Sequence, residues 1–334
     1  MTHWMRSNLA AAGLMAVLGS AQAQTPPADL LAAAQKEGEV VWYETSVPGV
    51  ADKIRAAFDA KFPGVKLRHV SVPNAEQMGP RLLQEARTGV PSADLVQISA
   101  DQIANMHKRQ ILADVDWGKV GVDKKMVPAA YAVATSATVV VLMANTKQVP
   151  EAERPKTWNA LLDPRWKGKM SAWANPYSFA LLASAWGDAD ARAYLEKFAR
   201  QDPSLFPAPA ASVQAVVSGD LPLGVGLSHI AQHSVDAGAP LALSTLDVVP
   251  VAVNYSSVLA KARHPNAARL LVWWLTSADG ARAYEQATKR GNIYVDATEA
   301  AKSLKGKQVS AWPFEKGDAI ATLLPPYQAL LRNR

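Results

Sequence analysis

The chain has 334 residues and no cysteine, which removes disulfides, thiolate metal sites, iron–sulfur clusters and cysteine nucleophiles together and leaves the redox compartment open. Charged residues are sparse, 19% against 49% hydrophobic, so neither a disordered polyelectrolyte nor a coiled coil fits. The 35 Lys plus Arg outnumber the 29 Asp plus Glu for a formal charge of +6. They are scattered, which argues against nucleic acid and weakly favours small acidic molecules or an anionic surface. There is no Gly-x-x-x-x-Gly-Lys-Ser/Thr loop and no Gly-x-Gly-x-x-Gly after a strand, and no long apolar run beyond the N-terminus. What is present is length for about two domains and a sizeable core.

The first residues read MTHWMRSNLAAAGLMAVLGSAQA. Arg6 stands in a short polar start, Leu9 to Leu18 form an apolar stretch, and Ala21-Gln22-Ala23 follows, the pattern of a Sec signal peptide cleaved near Ala23. The apolar core is about half of the roughly 20 residues that a membrane span needs. Residues 1–23 are therefore expected to be a signal peptide and the mature protein to be periplasmic or secreted.

From residue 28 onward helix and strand patterns alternate. LLAAAQKE ends at Gly38, EVVWYE (39–44) reads as a buried strand, and Val50, Ile54, Ala57 and Phe58 recur at helical spacing before Pro63-Gly64. A second strand (65–72), a helix with Met78, Leu82 and Ala86 on one face, and a third strand (93–99) complete a β-α-β series. That order implies a mainly parallel sheet covered by helices. After Tyr131 a strand at 138–146 opens a second α/β unit, and a strand at 248–260 leads to two helices ending at Gly291. The expected division is a discontinuous first α/β domain (24–132 with 256–300), a second α/β domain (133–255), and a C-terminal segment (301–334) packing on the second domain.

Catalytic patterns are weak. Gly226-Leu227-Ser228-His229-Ile230 lacks the second glycine of a nucleophile elbow, so Ser228 reads first as a helix cap, with a secreted serine hydrolase using His229 or His233 as the rival class. His229 and His233 have the spacing of a zinc pair, but Ile230 replaces the general-base Glu. More informative is a set of polar residues just past strand ends: Thr45 and Ser46, Ser99 and Asp101, Asn175 to Ser178, and Ser228. In open parallel sheets, ligands bind at the carboxyl ends of strands. Helix N-termini there, at Ser46, Ser178 and Ser228, favour an anion.

PKTWNALLDPRWKGKM (155–170), SADLVQIS, SVQAVVSGDLPLGVG and HPNAARLLVWWLTSADGARA occur in the order found in one family. The chain resembles the periplasmic solute-binding proteins of ABC importers, in the ferric-iron, thiamine and aminoethylphosphonate branch. The resemblance implies a type II periplasmic-binding fold, two α/β domains joined by crossing hinge strands. It implies a monomer without catalytic activity or cofactor, working with an ABC permease and its cytoplasmic ATPase. Carried over residue by residue, the resemblance offers Thr45-Ser46-Val47 where iron binders often have His or Tyr. It offers Ala100 in place of an acidic ligand, and His229-Ile230 in place of a Tyr pair. Ferric iron prefers phenolate and carboxylate oxygen, so a small anionic or zwitterionic organic solute is expected instead, with an iron-binding protein as the alternative. The expected ligand-binding residues are Thr45, Ser46, Ser99, Asp101, Asn175, Tyr177, Ser178, Ser228, His229 and Tyr255, with Asp101 available to an ammonium group. No metal ligands are expected among them.

Overall fold

Short β-branched runs form strands and the amphipathic segments between them form helices in the computed structural model, which describes residues 24–72, 75–89 and 93–332. The expected signal peptide, 1–23, lies outside the described residues. Among those residues no helix is long and apolar enough to cross a membrane. Helix α1 (Ala28–Glu37) ends at Gly38, whose φ of 79° is the left-handed conformation a helix-closing glycine supplies. Strand β1 (Glu39–Glu44), α2 (Pro48–Lys61), β2 (Lys66–Ser71), α3 (Ala75–Thr88), β3 (Leu95–Ser99), α4 (Ala100–Lys108) and the one-turn α5 (Trp117–Val120) follow. β1 pairs in parallel with both β2 and β3.

The 13-residue β4 (Val133–Asn145), buried throughout, carries the chain away from this first lobe. There follow β5 (Met170–Trp173), α6 (Tyr177–Ala180), α7 (Ala183–Trp186), α8 (Asp188–Ala199), β6 (Ser204–Phe206), α9 (Pro209–Ser218), β7 (Leu223–Leu227), α10 (Ser228–Asp236) and β8 (Leu241–Ser244). β9 (Val248–Val258) runs back, and α11 (Pro265–Thr276), α12 (Ala278–Thr288), α13 (Glu299–Leu304), β10 (Gln308–Ser310) and α14 (Gly317–Arg332) complete the chain. The strands lie in the order β2-β1-β3-β9-β4-β7-β5-β6, with β10 added to β9 and β8 to β4. β4 and β9 are thus shared by both lobes and antiparallel to each other.

Alternation along β4 divides the second lobe's interior. Val140, Leu142 and Ala144 join Trp158, Phe179 and Tyr194 in one core, whereas Val139, Val141 and Met143 join Val213, Val216 and Ala231 in another. The first lobe has its own core, in which Trp42, Phe58 and Trp274 are buried together. Helix α14 packs on α8 and α6 of the second lobe and also on α4 of the first. Its Tyr327 and Leu331 join the second lobe's core, and Phe314 just before it joins the first.

The sequence predicts a single helix over YSFALLASAW, but two short turns form. Ser310 inserts its side chain into the ladder: its Oγ donates to Leu181 O at 2.6 Å and accepts from Ala185 N at 3.1 Å, so the helical bond between those two groups is replaced. A second constraint sits at Gly280, where an added Cβ would lie 1.9 Å from the Trp274 carbonyl oxygen. Gly280→Ala is expected to cost about 1–3 kcal/mol or more. A thermal melt lowered by less than about 2 °C would count against that close approach.

Candidate functional site

Where the chain crosses between lobes, β4 and β9 form a two-stranded ribbon with Ser136 opposite Asn254 and Thr138 opposite Ala252. Residues paired across antiparallel strands share a face, and Ser136 Oγ accepts from Asn254 Nδ2 at 3.3 Å. The carboxyl ends of β1 and β3 approach this ribbon from one lobe and those of β5 and β7 from the other. β3 ends with Ser99 beside Asn254, and β7 ends with Leu227 beside Val140. The ten residues expected from the sequence divide into two groups, one at each edge of the ribbon.

Thr45, Ser46, Ser228 and His229 gather at the β4 edge, around a residue the sequence reading missed, Arg290. Its Nη1 donates to Glu44 Oε1 at 3.2 Å and to Thr45 Oγ1 at 3.1 Å, and its Nη2 lies 3.2 Å from His229 Nε2. One guanidinium thus joins the end of β1 in the first lobe to the start of α10 in the second. Its Nε is buried without a partner. Local geometry puts it there: α12 ends at Thr288, Lys289 turns the chain with a left-handed φ of 61°, and Thr288 Oγ1 accepts from Arg290 N at 3.0 Å. Lys289 then reaches Asp236 on α10 at 2.7 Å, while Arg290 points inward. Gly291 O accepts from Ala137 N at 2.8 Å and fixes the segment along β4.

Behind Arg290 lies a buried polar network. Glu44, 1% exposed, accepts from Ser46 N at 2.7 Å and lies 3.1 Å from His69 Nε2. Tyr284 places its hydroxyl 3.1 Å from Glu44 and 2.8 Å from Gln97 Oε1. Burial alone would raise the Glu44 carboxyl, but the His69 and Ser46 hydrogen bonds and the charge of Arg290 outweigh it and hold the group at about 2. His229 is affected in the opposite sense. Burial, and then the charges of Arg290 and His233, press its basicity well below the usual histidine range. A guanidinium can only donate, so His229 Nε2 accepts and the proton sits on Nδ1, 3.5 Å from Thr138 Oγ1. Lys289, Lys53 and Arg290 act on neighbouring His233 against an opposing Asp236, so this edge carries cations of which Lys289 and Arg290 are paired with Asp236 and Glu44. A cleft of about 750 Å³ adjoins it, floored by Ala137, Val139 and Val141 and walled by Ser228, Gln232 and Lys289 together with the carboxylates Asp236, Glu285 and Glu299.

Ser99, Asp101, Tyr177 and Tyr255 meet instead at the other edge, where β9 lacks a strand partner between β3 and β10. They surround a gap of only about 20 Å³, closed by Trp312 and Gly317. Asn175 Oδ1 accepts from Tyr177 N at 2.9 Å, and Ser178 is buried. Tyr255 takes the face of β9 opposite Asn254, because it lies one residue further along the strand.

The helix-terminus expectations need correction. α2 begins at Pro48, whose ring suits the first helical position, and Ser46 N is already bonded to Glu44, so Ser46 offers no free helix donor. Ser178 lies in a helix of only four residues, too short to add much dipole. Ser228 is not a side-chain cap; its Oγ accepts from Val139 N at 3.3 Å. His229 is turned to Arg290 and Thr138, so the serine–histidine pairing a hydrolase would need is not formed with this residue. Among the described residues no three His, Cys, Asp or Glu side chains are grouped to hold a metal ion.

Solved structures share this architecture at low identity. The periplasmic binding protein AfuA from Actinobacillus pleuropneumoniae, with fructose-6-phosphate bound, is 19% identical with a TM-score of 0.69, covering 89% of this chain and 99% of its own. Iron-bound HitA from Pseudomonas aeruginosa is 17% identical with a TM-score of 0.65, over 88% and 98% of the two chains. Trichodesmium FutA in complex with iron and citrate is 18% identical with a TM-score of 0.70, over 88% and 99%. A search of curated protein sequences gives no match. These likenesses establish the type II periplasmic-binding fold. Residues 53–313 match the family model for bacterial extracellular solute-binding proteins, and with its two lobes joined by the β4–β9 ribbon the chain belongs to that family.

Proposed function

We propose that the protein captures a small anionic or zwitterionic organic solute, such as a phosphonate, phosphate ester or carboxylate, by closing its lobes about the β4–β9 ribbon. It then delivers that solute to the membrane permease of an ABC importer. The observation that carries the reading is Arg290, a guanidinium held between the two lobes by Glu44, Thr45 and His229, with its unpartnered Nε and second Nη2 hydrogen left to take an anion. Thr45, Ser46, Ser228 and His229 surround it, and the adjoining cleft is within the usual size for small ligands, roughly 300–1,000 Å³. Asp101 lies apart from this group against a gap of only about 20 Å³, so an ammonium group on the solute would not be held by it.

Iron and citrate in FutA, iron in HitA and fructose-6-phosphate in AfuA show that this fold holds both metals and phosphorylated organic molecules. Here Arg290, Thr45, Ser228 and His229 offer nitrogen and hydroxyl groups, which suit an anion and not a bare ferric ion, while the cleft's carboxylates Asp236, Glu285 and Glu299 are engaged by Lys289, the first N–H groups of α13 and Lys302. A screen of phosphonates, phosphate esters, dicarboxylates, amino acids, thiamine and polyamines by thermal shift tests the proposal. A true ligand at about 100 times its Kd adds roughly 2.7 kcal/mol, or about 5–10 °C. Shifts confined to thiamine or polyamines, or one ferric iron per chain with phenolate-to-iron colour, would overturn it.

A further inference from the structure

On the face of β9 turned away from Asn254, Tyr255 forms one wall of a pocket of about 220 Å³. Tyr294, Trp312 and Phe314 supply the other aromatic walls, and Lys125 and Glu315 stand exposed at its mouth. The rings are held in place. Phe314 is buried and meets Tyr255 nearly edge-on at 4.8 Å between centroids and 64° between planes, and the Trp312 indole N–H donates to Ala180 O at 3.3 Å. Burial raises the Tyr255 phenol first, and Tyr294, Tyr177 and Glu315 nearby raise it further; burial also raises Tyr294. Both therefore remain neutral, electron-rich rings at physiological pH and provide no phenolate for a metal ion.

The charge at the mouth is asymmetric. The Lys125 ammonium is drawn to Asp123 at 3.5 Å, which partly offsets it, whereas Glu315 shows no ion pair within 4.0 Å among the described residues. Four aromatic rings around a compact space with a carboxylate at the entrance are complementary to a positively charged group with an apolar surface, which gains attraction from ring quadrupoles while keeping a counter-charge. An anion would meet ring faces of its own sign, and a strongly hydrated metal ion would find few oxygen ligands.

We propose that this pocket binds a compact organic cation, a quaternary or methylated ammonium group seated among Tyr255, Tyr294 and Trp312 with Glu315 as its counter-charge. The pocket shares no lining residue with the Arg290 group, although Tyr294 lies on the segment that follows Arg290 along β4. Its walls come from the segment before β4, from β9, from the segment between α12 and α13 that carries Tyr294 and from the connector into α14, so an occupant would touch parts that belong to both lobes.

Choline and its uncharged isostere 3,3-dimethylbutan-1-ol are suitable probes, titrated into the full mature protein at matched ionic strength. Calorimetry and the proton spectrum of the methyl groups would be read together. Choline should bind saturably with its methyl signals shifted upfield by the rings, and the isostere should bind at least about tenfold more weakly. Glu315→Gln, an exposed change that should leave folding intact, should weaken choline several-fold, and Lys125→Gln should strengthen it. Tyr294→Ala should abolish the upfield shift. Equal binding of the two probes would reduce the pocket to an apolar crevice and overturn the proposal, as would no binding of either. Choline binding indifferent to Glu315, Lys125 and Tyr294 would place it elsewhere and overturn the proposal too. None of these outcomes depends on whether an anion binds at Arg290, so the two readings fail separately.

Discussion

Replacing Arg290 with alanine is expected to weaken the anionic solute by roughly 30-fold to several thousand-fold, the range of about 2–5 kcal/mol seen when one partner of a buried charged contact is removed. Arg290→Lys should fall between the two, since it keeps the charge but loses the fork that spans Glu44, Thr45 and His229. The alanine variant also strips the buried Glu44 of its nearest cation. It should therefore lose stability, though less than a fully unpaired carboxylate would, because the His69 and Tyr284 contacts remain. Combining Glu44→Gln with Arg290→Ala separates the two consequences: stability should largely return while affinity does not. Calorimetry with the solute found by the screen, alongside urea denaturation, reads both. Affinity within threefold of the parent in Arg290→Ala would end the assignment of this residue.

Much of the architecture is legible in the sequence because it is written in short-range patterns. EVVWYE, LVQIS and VVPVAVNYSSV are β-branched runs bounded by breakers, and the helix ends at Gly38 and Gly238 carry their own stop signals. Places where reading stops short involve contacts distant in the chain. The break between α6 and α7 comes from Ser310, about 130 residues away, and nothing within YSFALLASAW announces it. Strand-end serines and threonines are visible as a class, yet which strand edge each faces depends on sheet order, and that separates Ser99, Asp101 and Tyr177 from Thr45 and His229. Arg290 is hidden for a similar reason. It follows a helix as an ordinary basic residue in Lys289-Arg290-Gly291, and only the fold brings it to Glu44, whose own burial could not be inferred from one charged residue at a strand end. The signal that could have found it is the unusual placement of an acid at the last position of a buried strand, which demands a partner.

Lowering the pH should destabilise the ligand-free protein in an upper range to which His229 and His233 both contribute and a lower range to which Glu44 contributes. His229 is held well below its ordinary value of 6.5 by burial and by Arg290, so below about 6.5 the unfolded chain binds a proton that the folded chain refuses. Stability then falls as pH drops from that point, by up to about 1.4 kcal/mol per pH unit until the folded histidine protonates. Glu44 acts further down. Its folded value of about 2 lies under the ordinary 4.5, so its contribution, on the order of 3 kcal/mol, is complete above 4.5 and disappears as pH falls toward 2. His229→Gln should shrink the upper range, and Glu44→Gln should remove the lower one while pressing His229 further down, because the Glu44 charge is what raises it, as read by urea midpoints from pH 7.5 down to 2.5. The same geometry links binding to protons, because an anion placed against Arg290 and His229 offsets the positive charge that keeps the imidazole neutral. Binding should then take up protons below about pH 6.5, visible as calorimetric heats that differ between buffers of different ionisation enthalpy. His229→Gln should erase that difference, and an upper window unchanged by the same substitution would show that His229 is not the group being titrated.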